Sequence, residues 1–467
     1  MANGKGGELV RTAPRTGLRW GLMAAIASLL VLSGGLPASA EDDQPAAAAP
    51  AAAGEAEAPA ADGEQAKPAA AAKIRILLVR EIREDRLPPL SLLDLPPPDD
   101  GVAGAKLAIS DNNTTGRFLG QDFTLDVASS AKSEDLVTEA QKYVAEGVAF
   151  IVADVEPKTL LALADALKDK EAQIFNASAP DDNLREEDCR ANVKHTAPTR
   201  TMLTDALAQY LTFKRWQNWI LIIGPTDKDK LYAEAVRRSA KRFGHKILEE
   251  RNFAYDPGSR RSDGGYEQIQ QQIPSFTQRL PAHDVEVVAD EGQLFGDYFP
   301  YRTWDARPVV GTSGLYATTW HPAIELWGGT QFQNRFKKQT NRIMRNMDYD
   351  AWLAIRVIGE AATRTKSNKF ADLNKYIHTP EFEVAAFKGV KTTFRNWNGQ
   401  LRQPLLSAAR DELLERSGDC GLLGAFAAQF ERALDQFRCA VGMIDDRTPF
   451  GDGLVQTDLI HVLQQVM

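Results

Sequence analysis

The sequence predicts an α/β protein of two doubly wound lobes. Three observations carry this: apolar runs alternate with amphipathic stretches, the alternation restarts after Pro198, and an export-type leader stands in front. Ile74 to Val79 reads as a strand, Ala103 to Asn112 as a helix and Phe123 to Val127 as a strand. Leu136, Ala140, Tyr143 and Val144 mark one face of the next helix. A strand at Val148 to Ala153, a helix through Leu160, Ala164 and Leu167, and a strand at Ile174 to Asn176 complete the first series. The second series has a helix through Met202, Ala206 and Tyr210, the strand Trp219 to Ile223 and a helix through Tyr232, Val236 and Phe243. Strands at Val285 to Val288 and Val309 to Gly311 follow. Such a series builds parallel sheets, whose ligands sit at the carboxyl ends of the strands.

The 467 residues allow two or three domains of roughly 150 residues. A net charge of -8 without a local basic patch excludes nucleic acid as the expected partner. Arg11, Arg15 and Arg19 precede the apolar run Gly21 to Leu36, and Ala38-Ser39-Ala40 supplies a cleavage site, so residues 1–40 read as a signal peptide. Residues 41–72 collapse to Ala, Pro, Gly and acids, a linker unable to seed a core. A periplasmic protein is expected.

No motif for chemistry emerges. Phosphate loops of the Walker and dinucleotide types are missing, and Gly311-Thr312-Ser313-Gly314 lacks nucleophile-elbow spacing, which leaves Ser313 a turn residue. His195 and His321 have no ordered acid partner in sequence and read as structural hydrogen-bonding groups. No enzyme activity and no cofactor are expected.

The segment Gly104-Ala105-Lys106-Leu107-Ala108-Ile109-Ser110-Asp111-Asn112-Asn113, with Gly116-Arg117-Phe118-Leu119-Gly120, resembles the first helix and turn of type I periplasmic substrate-binding proteins of the branched-chain amino-acid class. Phe175-Asn176-Ala177-Ser178-Ala179-Pro180 is similar to that class's ligand loop, Thr196-Ala197-Pro198 to its first lobe crossing, and Met347 to Ala361 to its returning helix. Arg185 to Ala191, Tyr266 to Pro274, Phe295 to Trp304 and Phe394 to Pro404 resemble the substrate-binding subunit associated with PQQ-dependent alcohol dehydrogenase systems. The resemblance implies a monomeric, exported binding protein with a multi-strand hinge, working with an ABC permease and ATPase. It implies lobe 1 at 73–197 with 328–365 returning to it, lobe 2 at 198–327 with 366–404 returning, and a tail at 405–467.

By matching strand ends to that class, the first-lobe ligand positions are Asp154, Glu156, Thr159, Asn176 and Ser178. Two acids there argue against receiving a ligand carboxylate, since like charges repel. Lys228, Tyr232, Asp290, Glu291 and Tyr316 are the second-lobe positions. Nine aromatics fall between Phe295 and Phe332, where the chain's 8% average gives about three in 38 residues; they line a pocket or pack a core. Asp154, Glu156 and Glu291, with Asp181, Asp182 and Asp290, suit a hard cation such as calcium or a lanthanide if they converge. Helix capping is the other reading of Asp181 and Asp182.

Cys189 is a disulfide candidate with Cys420 or Cys439 in an oxidising compartment. In the tail, Phe426, Phe430, Leu434, Phe437, Val441 and Ile444 recur at spacings of three and four, one apolar helical face. A docking arm and an altered reading frame both stay open for it. The expected function is capture of a small ligand by lobe closure; a sensing subunit on the same fold is the alternative.

Overall fold

β1 (Ala72–Glu81) begins the part of the chain that the computed structural model describes, residues 72–83, 96–254, 264–409 and 412–413. The leader, almost all of the linker and the Phe426–Ile444 periodicity lie outside the described residues. After β1 come α1 (Val102–Leu119), β2 (Gln121–Ser130), α2 (Ser133–Ala145), β3 (Phe150–Asp154), α3 (Pro157–Leu167), β4 (Gln173–Asn176) and β5 (Val193–His195). The five strands are parallel in the order β2-β1-β3-β4-β5. Strand alternation divides the core between the two faces. Ile74, Ile76 and Leu78 pack with α1, whereas Leu77 and Val79 pack with α2 and α3.

The second lobe contains α4 (Arg200–Lys214), β6 (Asn218–Ile223), α5 (Asp227–Phe243), β7 (Lys246–Asn252), α6 (Gly264–Phe276), β8 (Val285–Ala289), the single-turn α7 (Phe299–Arg302), β9 (Val309–Gly311) and β10 (Leu315–Thr318). The chain returns through α8 (Gly329–Thr340), α9 (Asn346–Thr365) and α10 (Phe370–Ile377). It ends in β11 (Val384–Ala385), β12 (Lys391–Phe394), β13 (Leu401–Arg402), β14 (Leu406–Ala409) and β15 (Glu412–Leu413). The second sheet runs β15-β14-β10-β9-β8-β6-β7, with β14 antiparallel to β10, and β11-β12-β13 form a small separate sheet. Three stretches connect the lobes: 196–199, 319–328 and 403–405.

Local chemistry fixes the second-lobe helices. Thr199 caps α4 by accepting the Met202 N–H at 3.1 Å. Thr226 and Asp229 close a capping box on α5, and Gly244 ends it at φ 76°. The buried face of α4 differs from the expected Met202–Ala206–Tyr210 line: it runs through Thr204, Leu207, Ala208 and Leu211, joined by Tyr210. Hydroxyls make this possible, since Thr204 Oγ1 lies 2.8 Å from Ser239 Oγ and Ser239 donates to Asp205 at 2.6 Å.

The returning segments also differ from expectation. Residues 366–404 do not rejoin the second lobe, because Leu373, Ile377, Phe382, Val384, Phe394 and Leu401 pack into the first-lobe core with α9. α9 lies so close to α1 that a Cβ at Gly104 would stand 1.9 Å from the Asp348 carbonyl oxygen. What returns to the second lobe is β14, so residues 406–409 and 412–413 are strands rather than the start of a helical tail.

Candidate functional site

β1 is apolar from Ile76 to Val79 and then turns charged at Arg80-Glu81-Ile82-Arg83. Its parallel register sets Arg80 beside Asp154, the last residue of β3. Charged groups therefore gather at the carboxyl ends of adjacent strands, where parallel sheets place their ligands. The Arg83 guanidinium donates to Asp154 Oδ1 at 3.0 Å, to Glu156 Oε1 at 2.7 Å and to Ser178 Oγ at 3.4 Å. Ser178 in turn donates to the Val155 carbonyl at 3.0 Å, and the Glu156 N–H donates to Glu81 at 2.8 Å. Burial disfavours the Arg83 charge, but the two carboxylates hold its pKa above the ordinary value.

Glu156 stands at the N-cap position of α3, and Lys228 belongs to the first turn of α5. Lys228 Nζ reaches Glu156 Oε1 across the cleft at 2.9 Å. Burial opposes ionisation of Glu156, yet Lys228 and Arg83 together keep its carboxyl below the usual range. Arg83, Asp154, Glu156, Ser178 and Lys228 form one cluster, and four of these five were expected from sequence. Arg83 was missed because it lies past the strand's apolar run, where periodicity carries no signal.

A second cluster bridges the lobes near the first crossing. Arg200, the first residue of α4, donates to both Glu291 carboxylate oxygens at 2.8 to 3.0 Å and lies 3.1 Å from Asp181. Burial raises the Glu291 pKa while Arg200 pulls it down, and burial prevails. The Arg200 backbone N–H donates to the Pro180 carbonyl at 3.0 Å. Arg185, fully buried, donates to the carbonyls of Ala179, Asp181 and Ala197 and to Gln400, tying the loop after β4 to the hinge.

Other expected ligand positions serve the scaffold. Asn176 closes an Asx turn, accepting from the Ser178 and Ala179 N–H groups at 3.2 and 2.9 Å, and its Nδ2 lies 3.0 Å from His195 Nδ1. His195 is thus a hydrogen-bonded core histidine, and burial holds its pKa well below the ordinary value. Asp290 accepts the N–H groups of Leu294, Phe295 and Gly296. Burial puts its pKa at about 6 although those amides pull it down. A Cβ at Gly296 would stand 2.3 Å from Ser313 Oγ, so the turn needs glycine. Tyr232 is buried in the second-lobe core, and burial, then the Glu291 charge, raises its pKa. Thr159 is buried in the first turn of α3, and Tyr316 is half-buried in β10 opposite Ala408 of β14.

The acids do not converge on a cation. Asp154 and Glu156 share Arg83, Glu291 is occupied by Arg200, and Asp182 accepts the Thr201 N–H of α4 at 3.3 Å. Among the described residues, no three His, Cys, Asp or Glu side chains form a metal-holding group. A cation there would have to displace guanidinium groups already matched in charge. The aromatic run also divides: Phe295, Phe299, Trp320 and Phe332 are core, whereas Tyr301 and Trp304 are 76% and 59% exposed. Cys189 is half-buried, and its two candidate partners lie outside the described residues.

Residues 99–264 match the family described as periplasmic binding protein. No curated protein matches the chain. The fold is similar to a branched-chain amino-acid ABC transporter periplasmic ligand-binding protein of Burkholderia xenovorans, with TM-score 0.58, 18% identity, and coverage of 74% of this chain and 93% of that one. It is also similar to a leucine-, isoleucine-, valine-, threonine- and alanine-binding protein of Brucella ovis in closed conformation, with TM-score 0.56, 14% identity, and 73% and 92% coverage. A solute-binding protein of an ABC transporter from Rhodopseudomonas palustris, in complex with 3,4-dihydroxybenzoic acid, matches with TM-score 0.52, 12% identity, and 72% and 93% coverage. The two α/β lobes and their parallel sheets are those of the type I periplasmic binding protein fold.

Proposed function

We propose that this chain is the periplasmic solute-binding component of an ABC transport system, holding a small polar ligand between its lobes and presenting the closed form to a permease and its ATPase. The observation that carries the reading is the cluster of Arg83, Asp154, Glu156 and Ser178 at the strand ends of one lobe, facing Lys228 of the other. A ligand that touches both sides favours the closed arrangement by its differential affinity for it, and no bond in the ligand changes. Arg83 and Lys228 are the groups suited to a ligand carboxylate, because Arg83 offsets the repulsion that Asp154 and Glu156 exert. Two of the similar structures are a leucine-, isoleucine-, valine-, threonine- and alanine-binding protein and a solute-binding protein in complex with 3,4-dihydroxybenzoic acid, which makes carboxylates the first class to test. Association with PQQ-dependent alcohol oxidation rests on the sequence segments alone and extends the panel to short alcohols and their acids.

A thermal-shift screen of the exported chain, stripped of ligand by unfolding and refolding, tests this reading. The panel is amino acids, aromatic acids, short alcohols and their acids, calcium and lanthanum. A ligand at 100 times its dissociation constant adds about 2.7 kcal/mol to the native state. A shift with one class, lost in Arg83→Met, supports capture at this cluster. No shift with any class favours a sensing role or a ligand outside this panel.

A further inference from the structure

One buried cation holds two of the three lobe crossings. Lys388, between β11 and β12, is buried, and its Nζ donates to the carbonyl of Thr319 in the second crossing. It also donates to the carbonyl of Pro404 in the third crossing, at 3.2 Å. Asp350 of α9 accepts the Thr319 hydroxyl at 3.2 Å, and its backbone carbonyl accepts the Thr196 hydroxyl of the first crossing at 3.1 Å. Gln403 completes the circuit by donating to the Thr196 carbonyl at 2.7 Å. The ring of Tyr349 faces the ammonium at 5.0 Å.

A lysine is almost never fully buried unless it is paired, so apolar packing does not account for this one. Two of its three donors instead meet the Thr319 and Pro404 carbonyls, whose positions change whenever the crossings rotate. Burial brings the Lys388 pKa down to about 7 against the pull of Asp350, and raises that of Asp350 well above the ordinary carboxylate value. The charged and the neutral forms of Lys388 and Asp350 together hold the same number of protons. Exchange between them is therefore silent to pH, and the knot acts through geometry.

We propose that Lys388 is a positioning residue of the hinge: it ties the second and third crossings to each other beside α9 and so limits how far the lobes separate. This rests on the reading of the two lobes as a hinged pair, but it is measured without ligand. An empty ligand screen and an unmoved hinge are thus separate results.

The test places spin labels, carried on unnatural residues, at exposed Thr138 of α2 and Lys241 of α5 in the full exported chain, and reads the interlobe distance distribution. Lys388→Met is expected to add a longer-distance population and to lower the melting temperature. Adding Asp350→Asn removes the buried acid left without its lysine neighbour and should recover most of the melting temperature while the wide distribution remains. A double variant whose distribution returns to the single narrow population, or a Lys388→Met that never leaves it, overturns the proposal. If the lysine variants do not fold, Gln403→Leu decides: a widened distribution supports the pin, and an unchanged one overturns it.

Discussion

The Nζ of Lys228 in the second lobe lies 2.9 Å from Oε1 of Glu156 in the first, an ion pair that joins the two lobes. The lysine side chain is 54% exposed, so water and salt screen the pair, and it stabilises the native state by less than about 1 kcal/mol. Lys228→Met is therefore expected to leave the melting temperature nearly unchanged. Its effect belongs on the ligand: an anionic ligand identified in the screen should lose about tenfold or more in affinity, along with part of its salt dependence. Calorimetric titrations at low and high salt check this, and an unaltered affinity would place the anion elsewhere.

Arg200 predicts the opposite balance. Its side chain is 4% exposed and meets Glu291 through three hydrogen bonds and Asp181 at 3.1 Å, so Arg200→Met strands two half-buried carboxylates. The expected loss is about 3 kcal/mol or more, and Arg200→Met with Glu291→Gln should regain most of it. Urea denaturation of the two variants measures the difference. Equal destabilisation in both would mean that the charge balance does not matter there.

Glu286 makes stability depend on pH. Burial first, then the neighbouring Asp305, raises its pKa to about 7 from 4.5 against the pull of Arg251, with His283 Nε2 at 3.5 Å. Below pH 4.5 both folded and unfolded chains carry the proton, so burial costs nothing through this group. Between 4.5 and about 7 only the folded chain keeps it, and rising pH favours unfolding by up to about 3 kcal/mol. Above that the loss is complete. Glu286→Gln should flatten the melting-temperature profile between pH 5 and 8, and a profile as steep as wild type would remove Glu286 as its source.

Periodicity exposed the strands and helices wherever both neighbours were apolar, as for Ile74–Val79 or Leu160–Ala164–Leu167. It failed at β7, whose Lys246–Asn252 sequence is mostly charged because an edge strand buries little, and at β5, which is only three residues long. The strand-end rule selected Asp154, Glu156, Ser178 and Lys228, which the fold gathers into one cluster with Arg83, and also Asn176 and Asp290, whose polar atoms close turns on their own backbone. Residue type cannot separate these roles, since an amide or carboxylate suits a turn as well as a ligand. The partners Arg83 and Arg200 were illegible because long side chains reach across tens of sequence positions, and spacing does not record where they end.

The chain after Pro404 is the last case in which structure changes an expectation, and it changes what truncation should do. β14 pairs antiparallel with β10 over Leu315–Thr318, Ala408 is buried, and Leu406 is buried in the core cluster that holds α9. Stopping the chain at Pro404 removes that strand, bares the edge of β10 and uncovers the Leu406 site, a loss of about 2–3 kcal/mol. At about 2 °C per kcal/mol for a chain of this size or larger, the melting temperature should fall by about 5 °C. A chain stopped after Leu413 keeps both short strands and should melt close to the full-length protein. If the two truncations melt alike, β14 contributes nothing measurable to the sheet.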